Sequence, residues 1–426
     1  MDEQKVYSYE PTFQKTTLPN GVRVVSESHP GLRAASAGLF VDVGTRDEPE
    51  HLVGATHFVE HLVFKGTHKR TALEIAESLE VVGGELNAYT TRELTCFHTH
   101  SLKEDLPLAL DVLCDLVTNA TFDPEEFEKE RQVILQEIDM SKDDLEEYIL
   151  DLFFEKAFKG HPLARWITGT KASLRPITRD QLYAYYKTNY CGSRLVLAVA
   201  GSVNHDEVVK VAEKLLGHLP KGEEMQRRPR KGIEAFSELI PRPSEQVHLL
   251  YGLPSTTFVN EDRFDAYVFN ALIGGGVTSR LYQKVREKGG LVYSIYSYLQ
   301  TFVEHGLLMI YAGASEKTYT EVAHLIQAEL KKLGEERPRA EEVEGFKRQI
   351  KGQILLGADD MENRMNSIGI NEYVFGEYRS VDRVIQEINQ VSVDSVAAYI
   401  DKYVRGKTPS LLMMGDLPTA SFGQEN

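Results

Sequence analysis

The chain has 426 residues, 42% of them hydrophobic and 26% charged, and a formal net charge of −16. Its length implies two or three domains of a globular protein, and its acidity argues against a nucleic-acid partner, which would need a basic stripe. No apolar run reaches eighteen residues, which excludes a membrane-spanning helix, and three cysteines without a CxxC pair exclude a disulfide framework or a thiolate zinc site.

The opening residues, MDEQKVYSYE, lack the charge and apolar pattern of a secretory or organellar leader, so a cytoplasmic protein with no membrane attachment is expected. An Asn20-Gly21 turn introduces a strand over 21–26, and a second strand follows over 34–43. An apolar helix is predicted over 55–64. The next helix starts at Thr71, where Glu74 completes a capping box, and stops at Gly83-Gly84. Strands over 85–91 and 94–101 lead into helices over 106–119 and from Pro124 onward. The stretch 219–244 is rich in charge, Pro and Gly, and reads as a linker.

Beyond it the plan repeats: a strand over 246–252, helices over 263–273 and 279–288, strands over 293–301 and 306–314, and helices over 319–333 and 340–356. The expected architecture is α+β. It has two homologous α/β-sandwich domains of similar size, each a mainly antiparallel sheet with helices packed on it. Their bounds are 1–219 and 245–426, with 220–244 as the linker.

The chemistry concentrates in His57-Phe58-Val59-Glu60-His61. Residues four apart on a helix share a face, so both imidazoles can reach one ion. Glu60 stands beside that ion without having to bind it, where a general base belongs. The flanking residues make this helix apolar nearly all round, and a metal would repay the burial of its polar groups. A catalytic zinc usually takes a third protein ligand. Glu130 and Glu137 lie two turns apart on the helix opened by Asp123-Pro124, and spacing alone does not separate a ligand from a solvated acid there. Cys96, His98 and His100 alternate along one strand and read as packing or surface residues; the acidic run 143–147 reads as a solvated helix.

With these residues in hand, the sequence resembles the pitrilysin/insulinase family of zinc peptidases, the inverzincins, and within it the branch of mitochondrial processing peptidase and its bacterial relatives. The resemblance rests on His57, Glu60 and His61, on Glu130 and Glu137 within EKERQVILQEI, on 83–90 (GGELNAYT), and on Arg286 and Tyr293 within REKGGLVY. It implies one zinc per chain, held by His57, His61 and Glu137, with Glu60 as base and Glu130 as a supporting acid. It further implies that Asn87 and Ala88 lie on the strand along which a peptide docks, and that Arg286 and Tyr293 contact the substrate and its oxyanion. The implied function is a metalloendopeptidase acting on peptides or unfolded segments in a closed clamshell. The family chamber uses four such domains and this chain has two, so a homodimer is expected, with the Arg/Tyr pair supplied in trans. The alternatives are a non-catalytic structural or assembly subunit of the same fold and a non-proteolytic metal hydrolase.

Overall fold

A computed structural model of the chain describes residues 11–225 and 233–417. They form two compact units. The first lies within Met1–Ile138, Arg165–Arg227 and Leu356–Arg379, and the second within Asp139–Ala164, Arg228–Leu355 and Ser380–Asn426.

The first unit is built on strands β1 (Thr12–Thr17), β2 (Arg23–Ser28), β3 (Ala34–Val41), β4 (Glu85–Thr90), β5 (Thr95–Leu102) and β6 (Leu195–Gly201), in the order β1-β2-β6-β3-β5-β4. Of these pairings only that of β2 with β6 is parallel. On one face, Ala35, Ala37, Leu39, Val41 and Phe97 pack under helices that include Ala55–Val63, Leu106–Thr118 and Arg179–Asn189. On the other, Val25, Phe40, Cys96, Val196 and Ala198 meet Met361, Met365 and Ile368 of the helix Met361–Phe375. Coverage on both faces explains why the central strand β3 is almost continuously apolar.

The second unit repeats this plan with strands β7 (Ser237–Pro241), β8 (Val247–Pro254), β9 (Val292–Thr301), β10 (Gly306–Ala314) and β11 (Ser410–Gly415), in the order β7-β11-β8-β10-β9. Its parallel pair, β7 with β11, falls where β2 and β6 fall in the first sheet. One face packs under helices that include Arg263–Ile273, Tyr319–Glu335 and Val393–Tyr403. The other is covered by Ile149, Phe153 and Phe154 of the helix Leu145–Ala157.

The two-domain α+β expectation therefore describes the molecule, but contiguous boundaries at 1–219 and 245–426 do not. A sheet that is apolar on both faces needs a helix on its outer side. Each unit takes that helix from the opposite half of the sequence: Met361–Phe375 for the first, Leu145–Ala157 for the second. The expected linker also needs correction. Residues 226–232 lie outside the described residues, but 237–241 are strand β7, whose charge and proline reflect an edge position. The acidic run opens the crossing helix, with Asp144 as its cap, accepting from the amides of Glu146 at 3.0 Å and Glu147 at 3.3 Å.

Glycines on the two equivalent central strands let these helices approach. A Cβ on Gly38 would lie 2.3 Å from Met365 Sδ, and one on Gly252 would lie 2.2 Å from Phe153 Cζ. In the first unit a buried ion pair adds to this packing. Glu27 of β2 is fully buried and accepts from Arg364 Nε at 2.7 Å and Nη2 at 2.6 Å, from the Tyr378 hydroxyl at 2.9 Å, and lies 2.7 Å from His29 Nε2. Burial alone would raise this carboxyl, but the Arg364 hydrogen bonds, with those of His29 and Tyr378, outweigh it and hold Glu27 down to about 2.

Removing one partner of a buried pair strands the other charge, so Arg364→Met is expected to destabilise the first unit by about 3–5 kcal/mol in urea unfolding. The Glu27 contribution should be complete above its unfolded value of about 4.3 and should fall away as pH drops from there toward 2. Unfolding midpoints measured between pH 6 and pH 2.5 check this, and in Arg364→Met that part of the acid dependence should be reduced.

Candidate metal centre and peptide edge

The helix Ala55–Val63 is set in place at its start and along its length. At the start the buried Glu48 carboxylate accepts from the amides of Gly54 at 2.9 Å and Thr56 at 2.8 Å. Further along, Phe58, Val59, Leu62 and Val63 are completely buried. Phe58 stacks on Phe127 of the helix Pro124–Asp143, with ring centroids 5.0 Å apart. Arg131 fixes that second helix by donating to the carbonyls of Leu174 at 2.7 Å, Arg175 at 2.9 Å and Ile177 at 2.7 Å. The two helices thus bring 57–61 opposite 130–137.

His57, His61 and Glu137 converge there. One ligand-capable atom from each lies within 4.8 Å of the others, and they are the only such trio among the described residues. His57 Nε2 is 3.8 Å from Glu137 Oε1, and His61 Nε2 is 3.6 Å from Glu137 Oε2. Donors about 2.1 Å from a shared tetrahedral ion stand roughly 3.4 Å apart, so the spacing fits a zinc ion. The chemistry fits as well. Burial, with His61 alongside, pushes His57 down to about 3, leaving the neutral imidazole that binds metals. Among the described residues nothing hydrogen-bonds to the buried atoms His57 Nδ1 and Glu137 Oε2, which is costly unless something else engages them.

Glu130, buried on the same helix as Glu137, does not join the trio. Its Oε2 lies 3.1 Å from His61 Nδ1 and its Oε1 forms an ion pair with Lys65 Nζ at 2.8 Å. A carboxylate on the far nitrogen of a ligand imidazole fixes the ring and its tautomer. Sequence reasoning missed Lys65, although its place one helical turn beyond His61 was a usable signal.

Glu60 projects toward β4, where the Thr90 hydroxyl donates to its Oε2. Burial raises the Glu60 carboxyl above the ordinary range, while the Thr90 bond and His61 pull it back and Glu137 raises it further. β4 is the edge of its sheet. Leu86 and Ala88 face the core under the motif helix, as does Thr90 by alternation, whereas Asn87 is exposed on the other side. The Ala88 amide donates to Asn87 Oδ1 at 2.8 Å. On the next strand, His98 pairs with Glu362 at 3.2 Å, His100 lies 2.8 Å from the Ser36 hydroxyl, and Cys96 is buried.

Arg286 and Tyr293 belong to the second unit and lie together. The expected helix over 279–288 narrows to a π-helical turn, Tyr282–Glu287, in which the Lys288 amide donates to Gln283 O at 3.0 Å. Arg286 sits over the rings of Tyr282 at 4.8 Å and Tyr293 at 5.7 Å, and donates to the Tyr282 hydroxyl. Tyr293, on edge strand β9, is 79% exposed.

Residues 23–171 match the family model described as insulinase (peptidase family M16), and residues 176–350 match the one described as the peptidase M16 inactive domain. A Streptomyces coelicolor protein named as an uncharacterized zinc protease is 39% identical, covering 95% of this chain and 90% of its own. A Bacillus subtilis protein with the same description is 34% identical over 90% of this chain and 94% of its own. A Helicobacter pylori protease of known structure superposes with a TM-score of 0.88 at 19% identity, over 95% of this chain and 99% of that one, and so speaks to the fold. No helix among the described residues is long and apolar enough to cross a membrane. By sequence and by fold, this chain belongs to the insulinase family of peptidases, family M16.

Proposed function

We propose that the chain is a zinc-dependent endopeptidase cleaving peptides or unfolded segments. The observation that carries this reading is the convergence of His57, His61 and Glu137 within 4.8 Å, with Glu60 on the same helix and an open sheet edge beside it. The zinc-protease names of the relatives support the choice of metal. His57, His61 and Glu137 would hold one zinc per chain, and Glu130, braced by Lys65, would hold the His61 ring. Zinc bound there supplies a Lewis acid for the scissile carbonyl and a water of lowered pKa. Glu60 takes a proton from the attacking water and delivers it to the departing amine.

The edge strand β4, with Asn87 and Ala88, takes the peptide as an added strand. Main-chain hydrogen bonds then supply affinity with little dependence on side chains. Arg286 and Tyr293 complete the site. The cation–π contact holds the guanidinium over the phenol, and the exposed Tyr293 side chain can turn its hydroxyl toward a developing oxyanion. In this reading the pair comes from a second copy of the chain, and two copies close a clamshell chamber around the substrate. We place the enzyme in the cytoplasm, a reducing compartment in keeping with three buried cysteines outside any disulfide.

Metal analysis should return one zinc per chain. Glu60→Gln is expected to keep the metal and lose cleavage of a mixed peptide library by roughly 10²–10⁴-fold. One zinc with cleavage untouched by Glu60→Gln would sink the peptidase reading. Lys65→Met should weaken zinc binding by about tenfold or more, as losses of outer partners of ligand imidazoles do, when measured by chelator competition. Mixing Glu60→Gln with Tyr293→Phe chains should restore activity above either parent, and no recovery would rule out the arrangement in trans.

A further inference from the structure

Glu60 carries a flexible side chain with three rotatable bonds, and a base serves only when one of its oxygens lies within hydrogen-bond reach of the proton it takes. Its side chain is half-buried. A carboxylate partly withdrawn from water is stabilised by a donor that replaces lost hydration. Among the described residues one donor does: the hydroxyl of Thr90, bonded to Oε2. His61 and Glu137 act on Glu60 through their charge, with no hydrogen bond to it.

The position of Thr90 gives this bond a meaning beyond local satisfaction. It is the last residue of β4, and it falls on the strand face shared with Leu86 and Ala88, turned toward the motif helix. Its neighbour Thr91 directs its hydroxyl to the Leu94 carbonyl at 2.9 Å, closing the turn to β5. Of two adjacent threonines, then, one shapes the hairpin while the other reaches across to the helix. β4 is also the strand whose outer edge pairs with no other strand among the described residues. A peptide adding there would take its register from β4, and the base is tied to the same strand.

We propose that Thr90 is a positioning residue for catalysis. By holding Glu60 through Oε2 it leaves Oε1 for the reacting water, and it references the base to the strand that sets the register of the scissile bond. This rests on the peptidase reading, in which Glu60 is the base and β4 the docking edge.

The test uses the full-length, zinc-loaded chain and one fluorogenic peptide that wild type cleaves. Thr90→Val keeps the β-branched shape and removes the donor; Thr90→Ser keeps the donor. Misorienting a catalytic group costs on the order of 10–10²-fold in rate. Thr90→Val is expected to lose about that much in kcat with KM held within about twofold, and Thr90→Ser to recover most of the loss. In a Glu60→Gln background, Thr90→Val should change residual cleavage little, because the two residues act as a unit. Zinc content should stay at one per chain throughout, and in thermal unfolding the two substitutions should be non-additive. An unchanged kcat in Thr90→Val, a serine variant as impaired as the valine variant, a change confined to KM, or loss of zinc alongside loss of activity would each overturn the proposal. Full activity in Glu60→Gln would instead overturn the peptidase reading on which it stands.

Discussion

The placement of polar groups on a buried helix governs the first unit. Residues 55–63 pass through the core with Phe58, Val59, Leu62 and Val63 fully enclosed, yet carry two imidazoles and a carboxylate. Such groups are tolerated away from water only when each is engaged. Neighbouring elements answer part of that demand. The helix Pro124–Asp143 brings Glu137 to both rings and Glu130 to one, Lys65 balances Glu130, and β4 brings Thr90 to Glu60. Glu48, itself buried and pushed up to about 7 by that burial despite the amides it accepts from, caps the start. The site and the core are thus one construction, in which the stacking of Phe58 on Phe127 sets the distance between the histidines and their acid.

Much of this was legible in the residues, and the reasons are local ones. The motif helix, the capping box at Thr71 with Glu74 and the strands on either side of 91–94 obey short-range rules of periodicity and capping, and the structure follows them to within a residue or two. The ligand spacing of His57 and His61 is likewise a property of one helix. Glu137 was different, since nothing in its own segment separates it from the other acids of that helix; resemblance singled it out. The hidden parts are those made by distant segments. Thr90 stood in plain view within a strand, but its bond to Glu60 depends on how that strand is laid against the helix. β7 was masked by edge-strand composition that imitates a linker. Helix Met361–Phe375 has no clear amphipathic stripe, because Arg364 and Glu372 are buried by ion pairs with Glu27 and Lys15 rather than exposed.

The shared strand order of the two sheets, with its one parallel pair in the same place, shows a single plan used twice. The copies have diverged where chemistry is concerned. The helix Arg263–Ile273 stands where the motif helix stands in the first unit, and its sequence RFDAYVFNALI holds neither histidine nor glutamate. What the second copy retains is an edge strand with an exposed aromatic, Tyr293, at its start.

The exchange of outer helices bears on how the chain acquires this structure during synthesis. The sheet of the first unit has all its strands once residue 201 has been made, but the helix that covers Phe40, Cys96 and Val196 spans residues 361–375. At about 5–20 residues per second, the intervening stretch keeps that apolar surface bare for on the order of ten seconds while the polypeptide is still on the ribosome. A nascent chain with half its sandwich uncovered is a natural client for holding factors. The interior of the first unit is settled only once residues 361–375 have been made.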